Sequence, residues 1–205
     1  MTDVHAEPYG RTSWKRFAAL FGASAACAAA LVMGISDGVL ASTFVVSGQQ
    51  FKVSADRLEG TGFVNYGWID QHADRTAEPV AVSGIRQATL TNMCQSVVTT
   101  LPIVGDITLK LTAGTGDSPV QATDLVIDMA QLEGDADFTN IQIGHDAAAL
   151  NKGPASAKGL QGLFGQQSDR IVITDLRQVA WAANAGRFRL DDLRMNLTDG
   201  RDECF

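Results

Sequence analysis

From Phe51 onward apolar and polar residues alternate: Phe51, Val53 and Ala55; Val80 and Val82; Ile107, Leu109 and Leu111; Leu125, Ile127 and Met129; Ile141 and Ile143; Phe188 and Leu190. Successive side chains of an extended chain point to opposite faces, so a period of two demands half-buried strands. Turn signals interrupt these runs at Gly60-Thr61-Gly62, Gly114-Thr115-Gly116-Asp117, Glu133-Gly134-Asp135 and Asp199-Gly200. Short strands with frequent turns predict an all-β fold (a sandwich, a barrel or a curved open sheet) and argue against βαβ units. Residues 176–185 satisfy both periods: Leu176, Val179 and Ala180 share a helical face, and Val179, Trp181 and Ala183 share a strand face. Residues 145–167, with Pro154 and the glycines 153, 159, 162 and 165, read as a long mobile loop. Within it Leu160, Leu163 and Phe164 fall at i, i+3 and i+4. A short amphipathic turn there would touch lipid or cover an apolar opening; the alternative is that the three simply join the core.

The N-terminus predicts the compartment. Arg11, Lys15 and Arg16 precede an uncharged, Ala-rich stretch over residues 17–35, and Val39 and Ala41 place small residues before Ser42. A basic start, an apolar segment and a small-residue cleavage site form an export signal. The apolar stretch is about as long as a ~20-residue membrane span. Residues 1–41 are therefore read as one hydrophobic export helix, either a signal peptide cleaved after Ala41 or a retained membrane anchor. Residues 42–205 are read as a single β-rich extracytoplasmic domain, secreted or held at the cytoplasmic membrane. Cys27 lies inside the apolar stretch, whereas a lipid-acceptor cysteine follows one, so no lipid attachment is read there.

The three basic residues of the export segment are balanced by Asp3, Glu7 and Asp37, so the exported part keeps the whole net charge of −7. Such a surface repels nucleic acid and anionic lipid, and no nucleic-acid partner is expected. Only Cys94 and Cys204 lie beyond the export segment. An even pair in an oxidising compartment predicts one disulfide, with a reactive thiol as the weaker reading.

Catalytic motifs are sparse. Residues 34–38 (GISDG) match the G-x-S-x-G elbow of lipases, but at the end of the export segment they lack the strand, helix and α/β sheet that the elbow needs. Gly116-Asp117-Ser118 matches the opening of another esterase family, yet Pro119 follows the serine and no Asp stands three residues before a histidine, so a β-turn is the better reading. An imidazole general base in the exported part has to be His72 or His145, and the nucleophile is not legible. Asp135-Ala136-Asp137 and Asp191-Asp192 offer oxygen ligands, but Asn140 stands where a calcium loop needs glycine. No His/Cys zinc spacing occurs. Neither a metal nor a cofactor is expected.

The stretches 51–63 (FKVSADRLEGTGF), 79–84 (PVAVSG), 94–98 (CQSVV), 109–114 (LKLTAG), 164–167 (FGQQ) and 203–205 (ECF) resemble a family of exported actinomycete proteins that often carry the label cholesterol esterase. The resemblance covers nearly all of residues 42–205 and implies an exported protein with a sterol-ester or lipid connection. It transfers no catalytic residue. Three functions follow as expectations: a carboxylic ester hydrolase of cholesterol esterase type, a non-catalytic lipid-binding β-domain, or a cell-envelope component that meets a protein partner or the membrane through residues 17–35.

Overall fold

The computed structural model describes Trp14, Val45, Val46 and residues 48–72 and 76–205. The chain divides into two compact units, Met1–Thr43 and Phe44–Phe205. The export helix expected over residues 17–35, the cleavage site after Ala41 and the G-x-S-x-G match lie outside the described residues.

Among the described residues ten strands build one sheet: β1 (Val45–Val46), β2 (Phe51–His72), β3 (Ala77–Thr91), β4 (Met93–Leu101), β5 (Gly105–Ala113), β6 (Val120–Thr139), β7 (Gln142–Asp146), β8 (Phe164–Asn184), β9 (Arg187–Arg189) and β10 (Arg194–Asp199). The strand order is β10-β5-β4-β2-β3-β6-β8-β7, and β2 also pairs with β8, so β2, β3, β6 and β8 close into a ring. All pairings are antiparallel except the short β1–β2 contact. A path across the ring from Gly67 passes Ala81, Met129 and Ala180 and returns to β2 at Phe51, far along the strand. So large an offset requires steeply tilted strands that coil around the interior.

The long strands do not stop at the expected turns. Gly60-Thr61-Gly62 lies inside β2, and Glu133-Gly134-Asp135 inside β6. Gly62 (φ 70°), Asp124 (φ 49°), Gly134 (φ 146°) and Asp175 (φ 53°) instead kink strands that continue. Glycine carries no Cβ penalty there, and Asp is among the few other residues that tolerate left-handed backbone. Each kink resets which residues face inward. In β6 the buried set passes from Val120 and Ala122 to Leu125, Ile127 and Met129 across Asp124; in β8 it passes from Ile171 and Ile173 to Leu176, Gln178 and Ala180 across Asp175. Residues 176–185 fall within or next to β8, so the strand reading of that stretch holds and the helical one fails.

Two apolar clusters result. Leu58, Phe63, Ile85, Leu90, Leu125 and Ile171 belong to the one enclosed by the ring. On its outer face Val64, Tyr66, Val80 and Val82 pack against Ala147, Leu150 and Ala157. The segment bearing these last three residues is the expected loop, and the structure corrects that reading. Residues 142–146 are strand, 147–149 form a 3-10 turn, and the remainder is pinned to the sheet. Arg86 donates to the carbonyls of Gly153 (2.9 Å) and Asn151 (2.7 Å), while the buried Gln167 accepts from the amides of Asn151 (2.9 Å) and Lys152 (3.1 Å). A Cβ at Gly153 would lie 2.4 Å from Val64, so only glycine permits this approach.

Residues 200–205 cross the outer face of β4 and β5. The Thr108 hydroxyl donates to Gly200 O (2.7 Å) and accepts from Asp202 N (3.0 Å), and Ser96 Oγ accepts from Cys204 N (3.1 Å). Cys94 and Cys204 form the expected disulfide, with Cα atoms 5.8 Å apart across 110 residues. By chain entropy a loop of this length stabilises the fold by roughly 4 to 5 kcal/mol. A Cys94→Ser, Cys204→Ser variant should therefore unfold at clearly lower temperature, by more than any one of the exposed ion pairs could explain. Calorimetry with and without reductant checks this, and an unchanged melting temperature contradicts it.

Candidate functional site

The ring is open where β2 begins. Phe51 pairs with Ala180, and beyond that point β8 pairs only with β6, so the interior meets solvent between β8, β9 and β4. A cavity of about 360 Å³ occupies this end. Phe51, Val53, Leu58, Leu90, Leu125 and Leu176 form most of its wall, and Phe188 from β9 stands at its rim. Ala183 and Ala185 leave the space unfilled. Among the described residues of the lining, three amides, Gln95, Gln178 and Asn184, are the polar groups, with no charged side chain, hydroxyl, thiol or imidazole.

The cavity wall continues outward along the sheet. One cross-strand row runs Val53, Gln95, Leu111, Met195 through β2, β4, β5 and β10, and the next runs Val97, Leu109, Leu197. Directly opposed residues share a face, so these rows form one apolar surface beside the opening. Leu109, Met195 and Leu197 are exposed on it. The reverse face of the same strands is polar and carries the 200–205 strap. The β4–β5 turn projects Ile103, fully exposed, with φ 82°, a backbone region that β-branched residues avoid.

The expected site residues lie elsewhere. Leu160 (59 % exposed), Leu163 and Phe164 (61 %) do not enter the core. They form a turn, with Leu163 N donating to Leu160 O (3.3 Å), rather than a helix. Phe164 opens β8, whereas the cavity takes β8 from Leu176 onward, about 40 Å along the strand at ~3.3 Å per residue. His145 is exposed on β7 beside Gly165, and its imidazole makes no hydrogen bond or ion pair with a described residue. The neighbouring Asp146 carboxylate accepts from Ala148 N (2.9 Å) and Gly162 N (2.8 Å), so it braces the 3-10 turn and not the imidazole. His72 ends β2, paired through its backbone with Val46; its side chain lies outside the described residues. Gly116 and Ser118 form an exposed turn. Asp135 and Asp137 face Arg57 and Arg170 around a charged surface depression, and Asp191 pairs with Arg189 (2.9 Å).

The fold and cavity define a closed-sheet, all-β domain with an apolar pocket at one open end. The chain belongs to a family of unknown function (DUF6230), matched over residues 47–205. No curated protein and no solved structure matches it. The Cys94–Cys204 disulfide points to an oxidising, extracytoplasmic environment.

A separate electrostatic feature lies on the outer face. Burial, and then the charges of Asp128 and Asp70, push the Tyr66 hydroxyl up to about 12. Burial, and then the like charge of Asp70, push the Asp128 carboxyl from 3.8 to about 6. Because folding raises the Asp128 value, the folded state binds this proton more tightly than the unfolded chain. The resulting stability is complete below the ordinary carboxyl range and is lost as pH rises through about 6. Asp128→Asn should therefore raise the melting temperature near neutral pH, and the gain should vanish toward about pH 4. Thermal melts across that range check the prediction, and a gain of equal size at both ends contradicts it.

Proposed function

We propose that this chain acts outside the cytoplasm as a lipid-binding β-domain that holds one apolar chain or small ring system in the cavity at the open end of the ring. The observation that carries the proposal is the cavity itself: about 360 Å³, walled by aliphatic and aromatic side chains, with amides as the only polar groups among its described lining residues. Its size lies toward the lower end of the ~300–1,000 Å³ range of small-molecule sites, and a mostly apolar lining with few polar groups is their common chemistry. Burying a twelve-carbon chain would gain roughly 0.8 kcal/mol per CH₂, about 10 kcal/mol in all, against an association cost of roughly 4 kcal/mol or more. The net of about 6 kcal/mol or less corresponds to a Kd of tens of micromolar or weaker. The apolar surface over β4, β5 and β10 supports the reading, since it gives an apolar ligand a path to the opening.

The export segment over residues 17–35 supplies either a signal for secretion or a tether to the cytoplasmic membrane. The sterol-ester connection comes from the sequence resemblance. Hydrolysis of such an ester would need a nucleophile and a base within hydrogen-bond reach beside the bound chain. Among the described residues the cavity lining contains no Ser, Thr, Cys or His, and binding is the activity assigned to it. A fluorescent polyene lipid titrated into the full chain should bind saturably. Ala183→Trp, which fills the cavity, should weaken that binding by about tenfold or more without lowering the melting temperature, as expected where lost burial exceeds ~1.4 kcal/mol. Absence of saturable binding by the wild-type chain, or undiminished binding by the variant, contradicts the proposal.

A further inference from the structure

The cavity holds a feature that a purely apolar store would not need. Gln178 is 4 % exposed and lines the cavity. Its amide enters none of the side-chain hydrogen bonds among the described residues, and its polar atoms are not fully enclosed, so they face the solvent of the open cavity. An apolar ligand that filled the cavity would strip that solvent and leave the amide buried without a partner, at a cost in free energy. A leucine of similar size would complete the wall at no such cost. The strand register supplies a second amide nearby. Gln178 on β8 opposes Val53 on β2, which opposes Gln95 on β4, so the two glutamines flank Val53 on one face. They lie about two strand spacings apart, ~9.5 Å, which two glutamine side chains can span jointly with a small polar group between them. No cation accompanies them among the described lining residues.

We infer that the cavity selects uncharged lipids carrying one hydroxyl or carbonyl group, with the Gln178 amide as the polar anchor and Gln95 as its neighbour. The inference rests on the lipid-binding reading above and specifies the ligand's head. A hydroxyl or ester carbonyl satisfies the amide, which offers both a donor and an acceptor. A plain hydrocarbon leaves it unsatisfied. An ionised carboxylate would enter an apolar site without a counter-ion, where desolvation outweighs a neutral hydrogen bond.

The test compares three ligands of one chain length, dodecan-1-ol, dodecane and dodecanoate, each displacing a neutral apolar fluorophore from the full chain. At about pH 8 the alcohol should bind about tenfold more tightly than the alkane, and dodecanoate most weakly. Near pH 4, where its carboxyl is protonated, dodecanoate should approach the alcohol. Gln178→Leu should keep alkane binding and lose the preference for the alcohol. Equal binding of alcohol and alkane to the wild-type chain overturns the inference, and that comparison needs no variant to fold. Dodecanoate binding as tightly as the alcohol at about pH 8 overturns it too. If the alkane binds and no head group is preferred, the lipid-binding reading survives and only the anchor fails; if none of the three binds, both fall.

Discussion

The ladder between β2 and β8 turns an open sheet into an enclosure, and the other features depend on it. β2 is hydrogen-bonded on both edges along most of its length, to β3 on one side and to β8 on the other. Leu58 thereby lies in one row with Leu90 and Ile173, all three buried in the enclosed cluster. Without that pairing, Ile171, Ile173 and Leu176 of β8 would lose the wall they pack against. The closure also removes two sheet edges that would otherwise offer unpaired backbone groups.

A ring of four long strands closes only if the strands tilt and bend sharply, and the left-handed residues provide the bends. Gly62 and Asp124 lie at matching positions on either side of β3, flanking Arg86, while Asp175 faces the Gly134 irregularity across β8 and β6. Kinks aligned across neighbouring strands bend the sheet as a unit instead of breaking single ladders. The same geometry leaves an opening: at Phe51, where β2 begins, no described strand continues the wall beside Ala183 and Ala185, and the interior apolar surface runs out onto β4, β5 and β10. The pocket is thus a consequence of how the ring terminates. On the outer faces, the strap over β4 and β5, held by Thr108, Ser96 and the disulfide, and the 147–163 segment clamped by Arg86 and Gln167 protect the sheet.

The strand character of the chain was legible because alternation is a local signal: Leu125, Ile127 and Met129 are all buried, as are Val80 and Val82. The disulfide was legible because, of the three cysteines, only Cys94 and Cys204 lie beyond the N-terminal apolar stretch. Strand length was not legible, because Gly60-Thr61-Gly62 and Glu133-Gly134-Asp135 look the same in sequence whether the chain reverses or merely kinks. Asp124 and Asp175 look like ordinary polar positions, yet each resets which side of its strand is buried. The cavity was hidden for a different reason. Its wall comes from strands scattered between Phe51 and Phe188, and Gln178 fits the alternation as if it were an outward residue; only the β2–β8 register shows that it faces inward. The residues that did stand out, Leu160, Leu163 and Phe164, attract attention by being apolar in a Gly-rich segment. Their neighbours Ala147, Leu150 and Ala157 do the packing there instead.

The open end of the ring is the proposed binding site for an apolar chain. Crystals of the protein soaked with an ω-bromo fatty alcohol test it most directly, because anomalous scattering locates the bromine without reference to any assumed ligand. One bromine site is expected inside the cavity, among Phe51, Leu90 and Leu176. Bromine bound only elsewhere on the surface, with the cavity filled by ordered water at saturating ligand, would contradict it.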